Sequence, residues 1–421
     1  MLDIKRIVND KEKVEKALQK RMIDISLDDL VNWYQERNKA LVMVEQLKAN
    51  KNKLNKEIGE LKAKGEDISD LSKKMKNTNN KINELELQLT ELENNIKDLL
   101  VTLPNIPDDD VVAGGKENNE VISIQGEKPN FNFRPKNHVD LMTDLGLVDF
   151  ERGTKLSGHG YWIYTNMGAR LEWALINYFI DTHLKNGYEF LLVPHILGEK
   201  CGYAAGQFPK FREDVFHLTN DDGFLLPTAE TALVNYYRNE ILDYQELPKR
   251  FFSYTPCYRK EAGSHRTEER GTVRGHQFNK VEMFTFTTKE QSDDMHQELI
   301  RNGENILKGL GLHFRVSKLA AADVSASMAK TYDLEVWIPS MNEYKEVSSI
   351  SNARDYQTRR GMIRYKSADG TNEYAHTLNG SGLATSRLLP AIVEQFQNED
   401  GSVTIPEVLR PYMGGLSKIT K

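Results

Sequence analysis

The sequence predicts an α+β protein, with a long antiparallel helical hairpin joined to a larger domain of mixed strands and helices. Three observations carry that expectation. A heptad seam runs through residues 27–100, and a break rich in Pro and Asp follows at residues 102–110. From about residue 113, short strand-like and helical segments alternate, with frequent Gly and Pro between them. A chain of 421 residues, 39% apolar and 28% charged, suffices for two or three domains with a real core.

In the second arm of the hairpin, Leu71, Met75, Thr78, Ile82, Leu85, Leu89, Leu92, Ile96 and Leu99 recur in alternating steps of four and three. The first arm carries Leu27, Leu30, Tyr34, Arg37, Leu41, Val44, Leu47, Lys51, Leu54, Ile58 and Leu61. Its consecutive steps of three around Val44 form a stammer, which overwinds a coil locally. Residues 65–70 read as the turn, with Ser69 or Asp70 capping the second helix. Arms of about 30–35 residues reach about 45–50 Å. With no third element to pack on, the pair is expected to project into solvent. Residues 36–64 hold eight Lys/Arg against four Glu, with Lys48, Lys51, Lys53 and Lys56 clustered, whereas residues 71–100 hold five of each sign. Two readings stand at this point. One is a solvated coil that dimerises or spaces domains; the other is a rigid lever whose basic arm lies along nucleic-acid phosphates.

The net charge of −6 means that any nucleic-acid contact must come from such a local basic surface. Two cysteines, Cys201 and Cys257, make neither a disulfide framework nor a cysteine-rich zinc site, and suit a reducing compartment. The first residues lack a signal-peptide core, and no apolar run reaches the roughly 18 residues of a membrane helix. A cytoplasmic location without a membrane partner is the expectation.

The larger domain contains neither a P-loop nor a Gly-x-Gly-x-x-Gly run. Its arginines stand out instead. Residues 254–286 read as two aromatic and β-branched strands around a polar loop with Gly263 and Gly271. Arg259 and Arg274 would then sit on facing strands near the loop base. Two guanidiniums on one face can clamp a triphosphate through planar, bidentate bonds; equally, they can form surface salt bridges with the nearby glutamates.

The run Arg259-Lys-Glu261-Ala-Gly-Ser, followed by Arg270-Gly-Thr-Val-Arg274-Gly-His-Gln-Phe278-Asn-Lys-Val-Glu282, resembles motif 2 of the seryl-tRNA synthetases, a class II family. Thr377-Leu-Asn379-Gly-Ser381 through Arg387-Leu-Leu-Pro-Ala resembles motif 3, read as a strand, a turn and a helix. Residues 168–196 resemble motif 1, whose helix and proline-bearing strand form the dimer interface of that family. Pro227-Thr228-Ala-Glu230 resembles the Thr-Ala-Glu serine element, and Glu346-Val-Ser-Ser349 the metal and substrate strand. The likeness spans the whole chain in the family's order.

The resemblance implies a class II antiparallel sheet flanked by helices, with residues 1–110 as a tRNA-binding domain and 111–421 as the catalytic domain. Motifs 1, 2 and 3 fall at about 168–196, 254–286 and 375–397. It implies serine activation by ATP and transfer to the 3′ end of a serine tRNA, with a selenocysteine tRNA as a further expected substrate. Arg259 would hold the α-phosphate and Arg274 the γ-phosphate. Arg387 and Phe278 would lie on the two faces of adenine, and Glu261 would accept from its amino group. Glu346 and Ser349 would give oxygens to Mg²⁺, and no zinc is expected. Glu282, Thr228, Glu230, Asn379 and Ser381, with Arg259, would bind serine. Lys48, Lys51, Lys53, Lys56, Arg266 and Arg270 would meet tRNA, the arm reaching across a homodimer. His265 is expected to be a loop residue and His276 structural. The 265–271 loop departs from the family's usual Ala-Gly-Arg-Asp-Thr-Arg-Gly. That leaves a second reading: a paralogous copy serving a side pathway, or a non-catalytic tRNA-binding protein.

Overall fold

The computed structural model describes residues 1–261 and 271–421. The chain divides into two compact units. Leu2–Leu18 and Ile23–Leu103 form one; Met1, Gln19–Met22 and Pro104–Lys421 form the other.

In the first unit, α1 (Ile4–Asn9) and α2 (Lys11–Lys20) precede two long helices, α3 (Asp28–Lys64) and α4 (Ser69–Thr102). Gly65, at φ 74°, ends α3 in the left-handed conformation, where a side chain would be strained. The Gly65 and Glu66 N–H groups return to the carbonyls of Lys62 and Leu61. The start of α4 corrects the sequence reading. Ser69 is already helical, and the Asp67 carboxylate accepts from both its backbone N–H and its hydroxyl, at 2.9 and 2.8 Å. The seam of α4 buries Ile82, Leu85, Leu92 and Ile96, but at its end Leu100 is buried and Leu99 only half-buried. A 3.6-residue helix drifts about 20° per heptad against a 3.5 repeat, so after four heptads the next residue takes the inward position. Lys48 pairs with Glu86 at 2.7 Å and Arg37 with Glu93 at 2.9 Å across the arms.

The second unit is built on eight strands: β1 (Glu120–Gln125), β2 (Glu189–Phe190), β3 (Lys249–Tyr258), β4 (Gln277–Thr287), β5 (Phe314–Lys318), β6 (Lys330–Ile338), β7 (Glu343–Arg354) and β8 (His376–Ala384). Their spatial order is β1-β5-β6-β7-β8-β4-β3-β2. All neighbours are antiparallel except β2 and β3. Four helices matter for the site: α5 (Asn166–Lys185), α6 (Ser292–Gly309), α7 (Tyr356–Gly361) and α8 (Thr385–Gln395).

The period of two along a strand separates two jobs. Val281 and Met283 of β4, Leu334, Val336 and Ile338 of β6, and Leu378 of β8 join one core with Leu171, Leu175 and Phe179 of α5. Leu299 and Ile306 of α6 and Leu388 and Ile392 of α8 complete it. The alternate residues Lys280, Glu282, Asp333, Glu335, Asn379 and Ser381 line cavities instead. On β4 the first of these are followed by Phe284 and Phe286, which pack into a second core with Phe224 and Leu233.

The connection between β5 and β6 is held from inside. The buried Arg21 guanidinium donates to the carbonyls of Ala321, Val324, Ser325 and Met328, and its Nε to Asn105. The Asn105 amide donates to Ser327 and Ala353. Ser325 and Met328 of that connection line a cavity described below. Replacing Arg21 by Met takes the side-chain donor from the buried carbonyls of Asn105, Ala321, Val324 and Met328, whereas Ser325 keeps the Met328 N–H at 3.0 Å. R21M is therefore expected to lower stability by about 3 kcal/mol, roughly 5 °C in melting temperature, with R21K intermediate. Calorimetry checks this ordering.

Candidate active site

The β3–β4 hairpin contributes the first residues, and it differs from the sequence reading. The ladder stops at Tyr258 opposite Gln277, so Arg259 and Arg274 both lie beyond it rather than on facing strands. The cause is close packing on the 160–162 segment. A Cβ at Gly275 would lie 2.2 Å from the Trp162 ring, and the His276 N–H donates to the Gly160 carbonyl at 3.1 Å. His276 Nδ1 lies 3.0 Å from the Arg259 carbonyl, and the Arg259 N–H donates back to the His276 carbonyl at 2.9 Å. A ring nitrogen facing a carbonyl must carry the proton. His265, Arg266 and Arg270 lie outside the described residues.

The guanidiniums of Arg259, Arg274 and Arg387 nevertheless converge. All three line one small cavity of about 80 Å³ with Glu261, Phe278, Lys280, Glu346 and Ser381. Arg259 Nε donates to the Pro227 carbonyl at 3.2 Å, and its guanidinium carbon sits 5.2 Å from the Phe278 ring centre. Arg274 Nε donates to Glu261 Oε2 at 2.7 Å. Glu261 itself has φ 51°, a conformation few non-glycine residues adopt. Arg387 donates to the carbonyls of Val273 and Glu346 and lies 3.3 Å from the Glu346 carboxylate. Motif 3 forms without the expected turn, since α8 begins at Thr385 directly after β8.

A neighbouring cavity of about 450 Å³ shares Arg259, Glu261, Arg274, Lys280, Glu346 and Ser381 with the first. Its floor is a buried network. Lys280 Nζ binds the Thr228 hydroxyl and the Glu282 carboxylate, both at 2.7 Å. Asn379 Nδ2 donates to Glu282 at 3.0 Å and the Ser381 hydroxyl to Glu282 at 3.3 Å. Ser381 stands opposite Glu282 in the β8–β4 register, which places those two groups on one face. Gln357 of α7 donates to Glu230 at 2.6 Å and accepts from Thr377 at 2.6 Å. Burial first, and the Glu282 charge second, push the Glu230 carboxyl up to about 7. Sequence reasoning missed Gln357, because nothing along the chain marks a glutamine brought in by a separate helix. It gave Lys280 no part in the site, although its position two residues before Glu282 puts both on one strand face.

A third and larger cavity, about 1290 Å³, adds Asp333, Glu335, Arg315 and Lys345 to Glu346, Ser349, Arg274 and Arg387. Asp333 stands opposite Ser349, and its Oδ1 is buried without a hydrogen-bond partner. Burial and the nearby Glu346 hold its carboxyl well above the usual range. A poorly ionised carboxyl with one unpartnered oxygen, beside Glu346 and Ser349, leaves hard oxygens that fit a divalent ion. Among the described residues, no group of three or more His, Cys, Asp or Glu side chains is arranged to hold a metal by itself. Nor is any helix among them long and apolar enough to cross a membrane.

This sheet, with arginines and carboxylates on the face opposite α5, α6 and α8, is that of the class II tRNA synthetases. Residues 215–396 match the tRNA synthetase class II core domain (G, H, P, S and T), and residues 1–107 match the seryl-tRNA synthetase N-terminal domain. The chain is 57% identical to Serine–tRNA ligase 2 of Clostridium acetobutylicum, over 98% of this chain and 99% of that one. It superposes on the seryl-tRNA synthetase of Pyrococcus horikoshii, solved with ATP, with a TM-score of 0.94 at 34% identity, covering 100% and 99% of the two chains. The cytoplasmic serine–tRNA ligase of Naegleria fowleri, solved with AMP, gives 0.90 at 28% identity, again covering 100% and 99%. The chain belongs to the seryl-tRNA synthetase family.

The Glu230 carboxyl has a pH consequence for the ligand-free protein. Its folded value of about 7 exceeds the ordinary 4.5. Between those values the folded chain holds a proton that the unfolded chain has released. Its contribution to stability is therefore lost as pH rises from about 4.5 to about 7, and levels off above that. E230Q is expected to flatten this part of the profile, measured as melting temperature from pH 4.5 to 8.

Proposed function

We propose that the protein activates serine with ATP to seryl-adenylate and transfers the seryl group to the 3′ end of a serine tRNA. The observation that carries this reading is the convergence of Arg259, Arg274 and Arg387 beside a buried carboxylate pocket. Adenylate formation joins two anions, so fixed positive charge must offset their repulsion. Arg259 holds the α-phosphate and Arg274 the γ-phosphate. Phe278 and Arg387 flank adenine, with Glu261 accepting from its amino group. Glu261 is paired with Arg274 here, and Arg387 with Glu346. Both pairs therefore open as ATP enters, each carboxylate giving up an arginine to phosphate or base. When Mg²⁺ is bound, at Glu346 and Ser349, it neutralises phosphate charge. Positioning and electrostatics do the rest, and no histidine or cysteine takes part.

Serine brings an ammonium and a hydroxyl. Two buried carboxyls, Glu230 and Glu282, share the pocket with one lysine, Lys280, which contacts Glu282, so Glu230 has no lysine of its own. That imbalance suits an ammonium. Thr228, Asn379 and Ser381 give the hydroxyl its partners, and a pocket built this way leaves polar groups unpaired when alanine enters.

Lys48, Lys51, Lys53 and Lys56 of α3 meet tRNA phosphates. The exposed Lys48–Glu86 pair is weak enough to yield to a phosphate. A homodimer is part of the reading, supported by the exposed Trp173 and Leu184 of α5 and the exposed Leu192. The strand after α5 is only Glu189–Phe190, and Pro194 lies outside it. A selenocysteine tRNA as second substrate and a cytoplasmic location complete the proposal; the free thiols of Cys201 and Cys257 agree with the latter. A non-catalytic scaffold draws no support, since the side chains needed for chemistry are present and gathered.

Serine-dependent exchange of labelled pyrophosphate into ATP is the direct test, and exchange with another amino acid but not serine overturns the substrate. Deleting residues 30–98 is expected to spare this exchange and abolish tRNA charging. Equal loss of both would contradict the assignment of the arm to tRNA.

A further inference from the structure

Glu172 lies on α5, among Leu171, Ala174, Leu175 and Ile176. It is 3% exposed. One oxygen, Oε1, accepts from Asn279 Nδ2 at 2.8 Å and from the Thr385 hydroxyl at 2.5 Å. The other, Oε2, is buried without a partner, as is the Tyr164 hydroxyl. Burial pushes the carboxyl up to about 7. A half-satisfied carboxyl in an apolar helix face weakens a core, so stability does not account for it.

Its two donors do. Asn279 lies on β4 between Phe278 and Lys280, and its other amide atom accepts from the Tyr254 hydroxyl at 3.1 Å. The side chains of Phe278 and Lys280 line the small cavity. Thr385 is the first residue of α8, and Arg387 follows two residues later on the same turn. Phe278 and Arg387 thus descend from two elements far apart in the chain, and a single oxygen of a third element bonds both.

We infer that Glu172 is a positioning residue of the ATP site, tying β4 to the first turn of α8 and so fixing the gap between Phe278 and Arg387. This rests on the reading that those two side chains flank adenine. The carboxylate touches no substrate; it acts through its two partners. Its loss therefore weakens ATP binding and leaves the serine pocket, built on Glu230, Glu282 and Lys280, in place.

E172L, E172Q and T385V test this. Glutamine keeps an acceptor where Oε1 stands, so E172Q should bind ATP within about twofold of the unaltered protein. E172L removes both carboxylate bonds, leaving the Thr385 hydroxyl only its contact with the Asn279 carbonyl at 3.1 Å, and should weaken ATP binding by about tenfold, the equivalent of one net hydrogen bond. KM for serine should stay within about twofold. T385V, which removes the bond to Glu172 and the contact with the Asn279 carbonyl but leaves the Asn279–Glu172 bond, should fall between them, and T385S should restore binding. Equilibrium titration with ATP and the KM values from pyrophosphate exchange provide the readouts. ATP affinity unchanged in both E172L and T385V overturns the proposal, as does an equal rise in KM for ATP and serine. If E172L does not fold, T385V and T385S decide. Failure of the proposed function would appear differently, as absent serine-dependent exchange in the unaltered protein, and the order of ATP affinities would still test the positioning role.

Discussion

Two carboxylates buried in one cavity, Glu230 and Glu282, face a single ammonium, Lys280, and the rest of the pocket is arranged around that imbalance. Glu282 holds Lys280 directly, and Lys280 in turn holds Thr228. Glu230 is left to neutral donors, Gln357 and Asn379, and answers by taking up a proton more readily than a free glutamate. Burying a charge is tolerable only when partners replace water. Here, among the described residues, Glu230 is held by neutral donors only, and burial leaves it a poorly ionised acid. Asp333 is also a poorly ionised buried acid, in the larger cavity, and there one oxygen has no hydrogen-bond partner.

The sheet makes this arrangement possible. Each strand alternates, one set of residues packing under α5, α6 and α8 and the other facing the cavities. The helices bury enough apolar surface to hold the strands in register, and the register sets which polar groups stand opposite one another. Ser381 meets Glu282, and Asp333 meets Ser349, because the ladders place them so. A one-residue slip would turn every one of these groups into the helix layer. Precision in the site is therefore inherited from the packing of the other face. The connection carrying Ser325 and Met328 has no ladder to steady it, and Arg21 and Asn105 perform that task by bonding its carbonyls.

Much of this was legible from the chain. The hairpin followed from its heptad seam, and the arginines, with Glu282, Asn379 and Ser381, followed from motif resemblance. The errors were local and have local causes. Neither Ser69 nor Asp70 caps α4, because both already lie in the helix, and the Asp67 carboxylate takes the Ser69 N–H instead. Leu100 replaces Leu99 because a helix does not repeat every 3.5 residues. Arg259 and Arg274 leave the strands because Gly275 and His276 pack against the 160–162 segment, which no pattern within the hairpin announces.

The sequence by itself determined the seam of the arm, the two faces of each strand and the chemistry of the motifs, because these depend on neighbours two to seven residues away or on residue type. The tertiary structure decided which groups meet. Gln357 reaches Glu230, Glu172 joins Asn279 to Thr385, and Arg21 seats a connection three hundred residues later. Such meetings depend on how whole elements pack, and each partner's own sequence neighbourhood carries no record of them.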